Sequence, residues 1–246
     1  MSAFDDLVRT TLCLGVQEQE HWLPLGCGFL VSDRRLLWLV TSTRVLERAG
    51  DQPLTAWVSR DQDRVLLGLG TVLQQAGLTW LRSERGDVAA CVFPMQPDWE
   101  VKAIPLLQAA STAQSQPLLQ VHALAFPYGI EGFDPRDAFP LVLPGGLAGV
   151  DAGRERLYHT APSLPLTEGA PLLLAVGADA QRQLLLAGVT NGPLRPAAPV
   201  PAKEIPATVA GLSMATPIAA VIQLLSSAAA REQSERVLAR AAQTED

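Results

Sequence analysis

Apolar and polar positions along the chain alternate in short runs rather than long stripes, and the clearest runs lie between Gly26 and Glu47. Gly26-Cys-Gly-Phe-Leu-Val-Ser is a short apolar strand opened by glycines, Ser32-Asp-Arg-Arg is a polar turn, and Leu36-Leu-Trp-Leu-Val-Thr is a second strand, which together predict a β-hairpin. Ser42 or Thr43 then stands where a helix cap belongs, ahead of one helical turn ending at Glu47. Residues 4–16 carry Leu7, Val8, Leu12, Leu14 and Val16 in a period that fits a short helix or a strand. After the hairpin come Leu54–Val58, Arg64–Leu73 and Leu78–Leu81, each bounded by Asp, Gln, Gly or Ser clusters, and this even spacing predicts a barrel or sandwich. Gly86 to Pro94 reads as a further apolar strand with Asp87 at its mouth.

The second half repeats the pattern. From Gln96 to Pro117 the chain is polar and contains proline, as a linker would. A strand is expected from Leu118 to Phe126, ending in a turn at Pro127 and Gly129, and further short apolar runs stand at Leu141–Leu143, Ala148–Val150, Leu172–Leu174 and Leu184–Val189. The run Pro193–Pro206 holds five prolines, which cannot sit in a central strand because each lacks the N–H that a ladder needs, so it is expected to be a surface loop. Ile218, Val221, Ile222 and Leu225 form a helical stripe, with the helix continuing to near Gln243. Beyond Leu225 the stripe thins to alanines plus Val237 and Leu238, so this end is expected to extend from the barrels and either meet a partner or fray.

The order of these elements resembles that of trypsin-like serine peptidases, the HtrA/Deg type above all. The hairpin is similar to that family's G-S-G-F…T-N-x-H-V segment, with Arg44 where the family has its catalytic histidine. Asp87-Val-Ala-Ala-Cys resembles the D-(I/L)-A element that carries the orienting aspartate, about forty residues on. Leu157-Tyr-His-Thr-Ala…Thr167-Glu-Gly-Ala-Pro-Leu resembles Q-(T/H)-(D/T)-A…G-(N/D)-S-G-G-P-L, which puts Glu168 at the nucleophilic serine and Leu166 at the glycine of the oxyanion hole. Gly211-Leu-Ser-Met-Ala-Thr-Pro and the helix after it resemble the family's ending. The resemblance spans about residues 5–228 and implies an all-β chain of two six-stranded antiparallel β-barrels with a C-terminal α-helix. Its divisions are 1–100 for the first barrel, 101–117 for the link, 118–213 for the second barrel and 214–246 for the helix and tail.

Composition narrows the function. A chain of 246 residues, 48% hydrophobic, is long enough for two such barrels. Its net charge of −6 argues against nucleic acid or an anionic membrane as partner. The first residues, MSAFDDLVRTTLCLG, lack a basic n-region before an apolar core, and no apolar run is long enough to span a bilayer. Cys13, Cys27 and Cys91 lie in apolar surroundings without metal-like spacing and read as reduced core residues of a cytoplasmic protein. His21, His122 and His159 are scattered singly, so neither a metal nor a cofactor is expected.

Peptide hydrolysis on this fold needs an activated hydroxyl, an imidazole and a carboxylate, together with two aimed N–H groups. Arg44 is charged at any working pH and Glu168 is a poor acyl acceptor, so two of three triad-equivalent positions, Arg44, Asp87 and Glu168, cannot carry the chemistry. The expected role is that of an inactive homologue binding a protein or peptide partner, with Thr167, Gly169 and Ala170 in a vestigial cleft; the alternative is a hydrolase with unorthodox residues, His159 among them. In the parent geometry the base lies between the other two groups, so Arg44 is expected to sit between the carboxylates of Asp87 and Glu168. The sequence carries no sign of an oligomeric state.

Overall fold

The computed structural model describes the chain except residues 1–2, 35, 61–62, 94–98, 112, 129–130, 132, 135, 137–138, 178–181, 195–210 and 245–246. The ambiguous lead segment contains both elements: helix α1 (Ala3–Val8) and strand β1 (Thr11–Glu18), whose first six residues are buried on both faces and therefore show no period. The hairpin forms as its pattern predicts. Strand β2 (His21–Asp33) turns into β3 (Leu36–Thr41) with Phe29 opposite Val40 and Gly28 opposite Thr41. Helix α2 (Thr43–Ala49) follows at once and buries Val45, Leu46 and Ala49.

After β4 (Thr55–Arg60) comes the main departure. The apolar run 64–73, which reads as one strand, divides into β5 (Asp63–Gly68) and helix α3 (Leu69–Ala76). Gly68 and Gly70 interrupt the strand, Leu69 and Leu73 are buried one helical turn apart, and Gly77 closes the helix in the left-handed conformation. Strands β6 (Leu81–Arg82), β7 (Ala89–Val92) and β8 (Ile104–Pro105) complete the half. Its described strands run in the order β5-β4-β1-β2-β3-β7-β6, with β8 parallel on β2, and this eight-stranded sheet is not closed. Two closed six-stranded barrels were expected; here the residues that would join β5 to β6 are spent on α3, and β6 is only two residues long.

The second half does close. Strands β9 (Gln120–Ala125), β10 (Leu141–Val150), β11 (Leu157–His159), β12 (Pro171–Val176), β13 (Gln183–Pro193) and β14 (Ser213–Pro217) form a barrel in the order β10-β11-β14-β13-β12-β9. The two halves share their cores. Leu173, Leu186 and Val189 pack into the apolar cluster of the first sheet, while Cys13 and Cys27 belong to the cluster inside the barrel. In the link, a 3₁₀ turn at Leu106–Gln108 follows β8, and Ala109 bridges to Leu186.

The single C-terminal helix expected from the apolar stripe is two: α4 (Ile218–Leu225) and, after a break at Ser226 and Ser227, α5 (Ala228–Thr244). Nor does α5 project away from the body. It turns back onto the first sheet, where the Gln233 amide bonds Thr79, and Arg236 and Arg240 donate to the carbonyls of Gly77 and Ala76 at 2.5 and 2.6 Å. Those carbonyls are at the C-terminal end of α3, where cations are favoured. The proline-rich run expected as a loop lies largely within 195–210, outside the described residues.

Candidate functional site: two ion pairs at the seam of the halves

The register of β7 on β3 sets Ala89 opposite Thr41, which brings Asp87 beside the first turn of α2. There its Oδ1 accepts from the hydroxyls of Ser42, at 2.8 Å, and Thr43, and from the Arg44 N–H at 3.3 Å. Ser42 is the helix cap, and its Oγ also accepts from the Arg44 N–H. The aspartate thus satisfies the donors at the head of α2. The Arg44 Nε lies 3.0 Å from Oδ2, an ion pair without hydrogen-bond angles, and the guanidinium is the partner of this buried oxygen. Nη1 of Arg44 donates to the carbonyl of Asn191 at 2.7 Å. Asn191 in turn exchanges two hydrogen bonds with Thr216, whose hydroxyl also accepts from the Asp87 N–H. Arg44 and Asp87 are therefore tied to the closed barrel through β13 and β14.

Glu168 is held elsewhere. Its carboxylate, in a residue only 8% exposed, is gripped by both terminal nitrogens of Arg48, at 2.6 and 3.3 Å. Arg48 also donates to the Leu25 carbonyl at 2.8 Å. The expected placement of Arg44 between two carboxylates is thus corrected: each carboxylate has its own arginine, four residues apart on one face of α2. Fork geometry favours this, since Arg48 offers a bidentate grip that Arg44, already committed to Asp87 and Asn191, does not. The expected helical turn ended at Glu47, whereas α2 runs to Ala49, so Arg48 falls one turn beyond Arg44 on the same face; extending the helix by two residues is what would have revealed it.

The loop carrying Glu168 is rigidly placed. Leu166 adopts φ of 65°, and its carbonyl accepts from the Cys27 thiol at 3.5 Å. The Glu168 carbonyl accepts from the Cys27 N–H at 2.8 Å. Gly169, at φ of 85°, passes so close that a Cβ there would lie 2.1 Å from the Cys27 carbonyl oxygen. Thr167 and Ala170 are buried; the Thr167 hydroxyl donates to the Leu164 carbonyl, and the Ala170 N–H reaches Thr190. On the far side the Glu168 carboxylate lies over Gly192, where an added Cβ would be 3.0 Å from Oε1.

His159 is placed differently. It lies on the same face of β11 as Leu157, which packs in the barrel interior, and is itself buried with no hydrogen-bond partner for either ring nitrogen. Burial lowers its pKa to about 4, backbone groups of Met214 and Ala161 offsetting only part of this. Burial likewise pushes the Cys27 thiol up to about 12 and raises those of Cys13 and Cys91. Among the described residues no three of His, Cys, Asp and Glu gather closely enough to hold a metal ion.

The arrangement of halves matches that of a solved serine endoprotease from Yersinia pestis, with a TM-score of 0.56 over 94% of this chain and 68% of that one, at 14% sequence identity. The fold is trypsin-like. No family model matches the sequence. A stretch of 125 residues is 34% identical to a protein of Thioalkalivibrio sulfidiphilus named glycogen synthase, covering 48% of this chain and 23% of that protein. The chain thus spans less than a quarter of the length of that curated relative.

Proposed function

We propose that the chain is a catalytically inactive protein of trypsin-like fold that serves as a protein- or peptide-binding module in the cytoplasm. The observation that supports this most is the Arg44 guanidinium, 3.0 Å from Asp87 Oδ2 and 2.7 Å from the Asn191 carbonyl oxygen, at the place where hydrolysis on this fold requires an imidazole. A guanidinium neither takes nor returns a proton near neutral pH. Glu168, chelated by Arg48, has no free oxygen to attack a carbonyl. An unorthodox hydrolase working through His159 has little support, because that ring is enclosed in the barrel.

Binding is favoured by what remains. The first sheet is open and ends at β5, which among the described strands pairs only with β4, and an extended peptide can add to such an edge. A reducing compartment suits the thiols: Cys13 and Cys27 face each other in register on β1 and β2 and are free.

The test has two parts. Intact-mass measurement after treatment with a fluorophosphonate, together with digestion of labelled casein, is expected to show neither adduct nor cleavage. Arg44→His combined with Glu168→Ser is expected to stay inactive as well, since Leu166 still fills the glycine position and Arg48 loses its partner. An adduct on the native chain would overturn the inactive reading. For binding, selection from a displayed library of extended peptides is expected to enrich ligands that protect N–H groups of β5 from hydrogen exchange; no enrichment over bare resin would remove the binding role.

A further inference from the structure

Cys13 and Cys27 stand directly opposite each other on β1 and β2, and both are buried in the cluster inside the closed barrel. Residues opposed in an antiparallel pair alternate between those that exchange hydrogen bonds and closer ones that do not. Leu30 donates its N–H to the carbonyl of Thr10, just ahead of β1. Backbone groups reverse direction at each step along a strand, so those of Cys27, three residues earlier, point away from β1. They are used there: the N–H donates to the Glu168 carbonyl at 2.8 Å, and the carbonyl accepts from the Thr41 hydroxyl at 2.6 Å. Cys13 and Cys27 are therefore a non-hydrogen-bonded pair, with side chains on one face and Cα atoms about 4.5 Å apart in such sheets. That spacing lies within the span of a disulfide.

Little holds the two sulfurs as thiols. Cys13 Sγ is 3.9 Å from the Gly26 carbonyl oxygen and Cys27 Sγ is 3.5 Å from that of Leu166, so a disulfide would give up two weak S–H donors. It would also close a short loop and so restrict the unfolded chain. Cys91 cannot compete, because it lies in the other cluster, opposite Leu39. What the fold withholds is access: the two residues are 1% and 0% exposed, and burial raises both thiols well above their usual range, so the folded chain presents neither thiolate nor a path to an oxidant. The unfolded chain presents both. We propose that Cys13 and Cys27 form a disulfide when the chain folds in the presence of a small-molecule disulfide such as oxidised glutathione, and that the folded protein keeps whichever state, dithiol or disulfide, it folded in. One cysteine thiolate attacks the S–S bond of the oxidant, releasing one glutathione thiol and leaving a mixed disulfide, from which the thiolate of the other cysteine displaces the second. One S–S bond forms and one breaks; two cysteine thiols are oxidised, and the oxidant is reduced to two thiols that carry away the two protons. In a reducing compartment the chain folds as the dithiol, so this pair is independent of the binding role.

The full chain is unfolded in denaturant with its three cysteines reduced, then refolded with oxidised glutathione in one arm and reduced glutathione in the other. The oxidised arm is expected to give a monomer lighter by two hydrogens, in which alkylation under denaturing conditions finds Cys91 alone. Cleavage after Glu18 and Glu20, which lie between the paired cysteines, is expected to leave the two peptides joined until a reductant is added. The folded dithiol chain, placed in the same oxidising buffer without denaturant, is expected to keep all three thiols over the hours in which the unfolded chain exchanges fully. Cys91→Ala should form the same link and Cys13→Ala none, while the peptide map of the native chain carries the result even where a variant folds poorly. Three free thiols after oxidative refolding, cysteines left as glutathione adducts, or a link that uses Cys91 would overturn the proposal. Oxidation of the folded chain as fast as of the unfolded one would overturn it too, since the state would then follow the surroundings rather than the folding event.

Discussion

Arg48 grips Glu168 with two nitrogens, at 2.6 and 3.3 Å, one helical turn beyond the arginine that pairs with Asp87. This makes α2 a double clamp across the seam, one arginine for the carboxylate at the mouth of β7 and one for the carboxylate of the barrel loop. Neither arginine is interchangeable with the other.

Coupling between these residues follows directly. Arg48→Ala strands a nearly buried carboxylate and is expected to cost about 2 to 3 kcal/mol, with Glu168→Ala costing less. Their double mutant should lose clearly less than the sum, by about 1 kcal/mol or more, tempered by the 35% exposure of the Arg48 side chain. Arg44→Ala with Glu168→Ala is expected to be closer to additive. Urea titrations of the two cycles check this, and strong coupling in the second cycle instead would put Arg44 on Glu168.

Asp87 caps α2 as well as pairing with Arg44, so its two functions can be separated. Asp87→Asn keeps an acceptor for Ser42, Thr43 and the Arg44 N–H but loses the charge; Asp87→Ala loses both. The first is expected to cost about 1 kcal/mol and the second about 2 to 3. Equal losses in thermal melts would mean that the cap contributes nothing.

Stability should fall as the pH drops through the range of His159. With a pKa of 6.5 when unfolded and about 4 when folded, the unfolded chain takes up the proton first. The stabilisation is therefore complete above about pH 6.5 and is lost progressively down to about pH 4, by up to about 3 kcal/mol. His159→Leu is expected to flatten this slope in denaturant midpoints measured between pH 4 and 7. An unchanged slope in the variant would assign it to other groups.

Gly169 tolerates no side chain. Its φ of 85° and the 2.1 Å approach of a built Cβ to Cys27 oxygen predict that Gly169→Ala costs about 3 kcal/mol or more. Gly77→Ala, at φ of 63° and ψ of 33° in the left-handed helical region with an added Cβ's nearest neighbour 3.7 Å away, is expected to cost about 1 kcal/mol. Comparable melting temperatures for the two variants would count against the close packing of the loop on β2.

Helix α5 should protect the end of α3. Replacing Arg236 and Arg240 together by alanine removes two donors from the Gly77 and Ala76 carbonyls and is expected to cost about 1 kcal/mol. Hydrogen exchange in the last turn of α3 should quicken while β9 to β14 keep their protection. Equal exchange in both chains would mean that α5 is attached without stabilising.

Local chemistry decided much of this protein. The hairpin at Gly26–Thr41 was legible because both strands carry unbroken apolar runs separated by Asp33 and Arg34, and the start of α2 because Ser42 is a capping residue at a strand end. The proximity of Arg44 and Asp87 could be anticipated from the order of motifs, which the pairing of β7 with β3 brings together. What lay beyond reach depended on distances between groups far apart in the chain. The run through Leu69 is apolar in either a strand or a helix, and α3 prevails because Leu69 and Leu73 face one core on the same side. Arg44 and Arg48 carry the same charge in the same helix, so composition cannot say which takes Glu168; that was settled by where the barrel loop, held to β2 by Cys27, presents its carboxylate. The charged tail read as a free helix, and it is bound because folding delivers the bare carbonyls of Gly77 and Ala76 to its arginines. Periodicity reports which face of an element is apolar, while ion pairs across the seam depend on ångström-scale positions that only the packed chain defines.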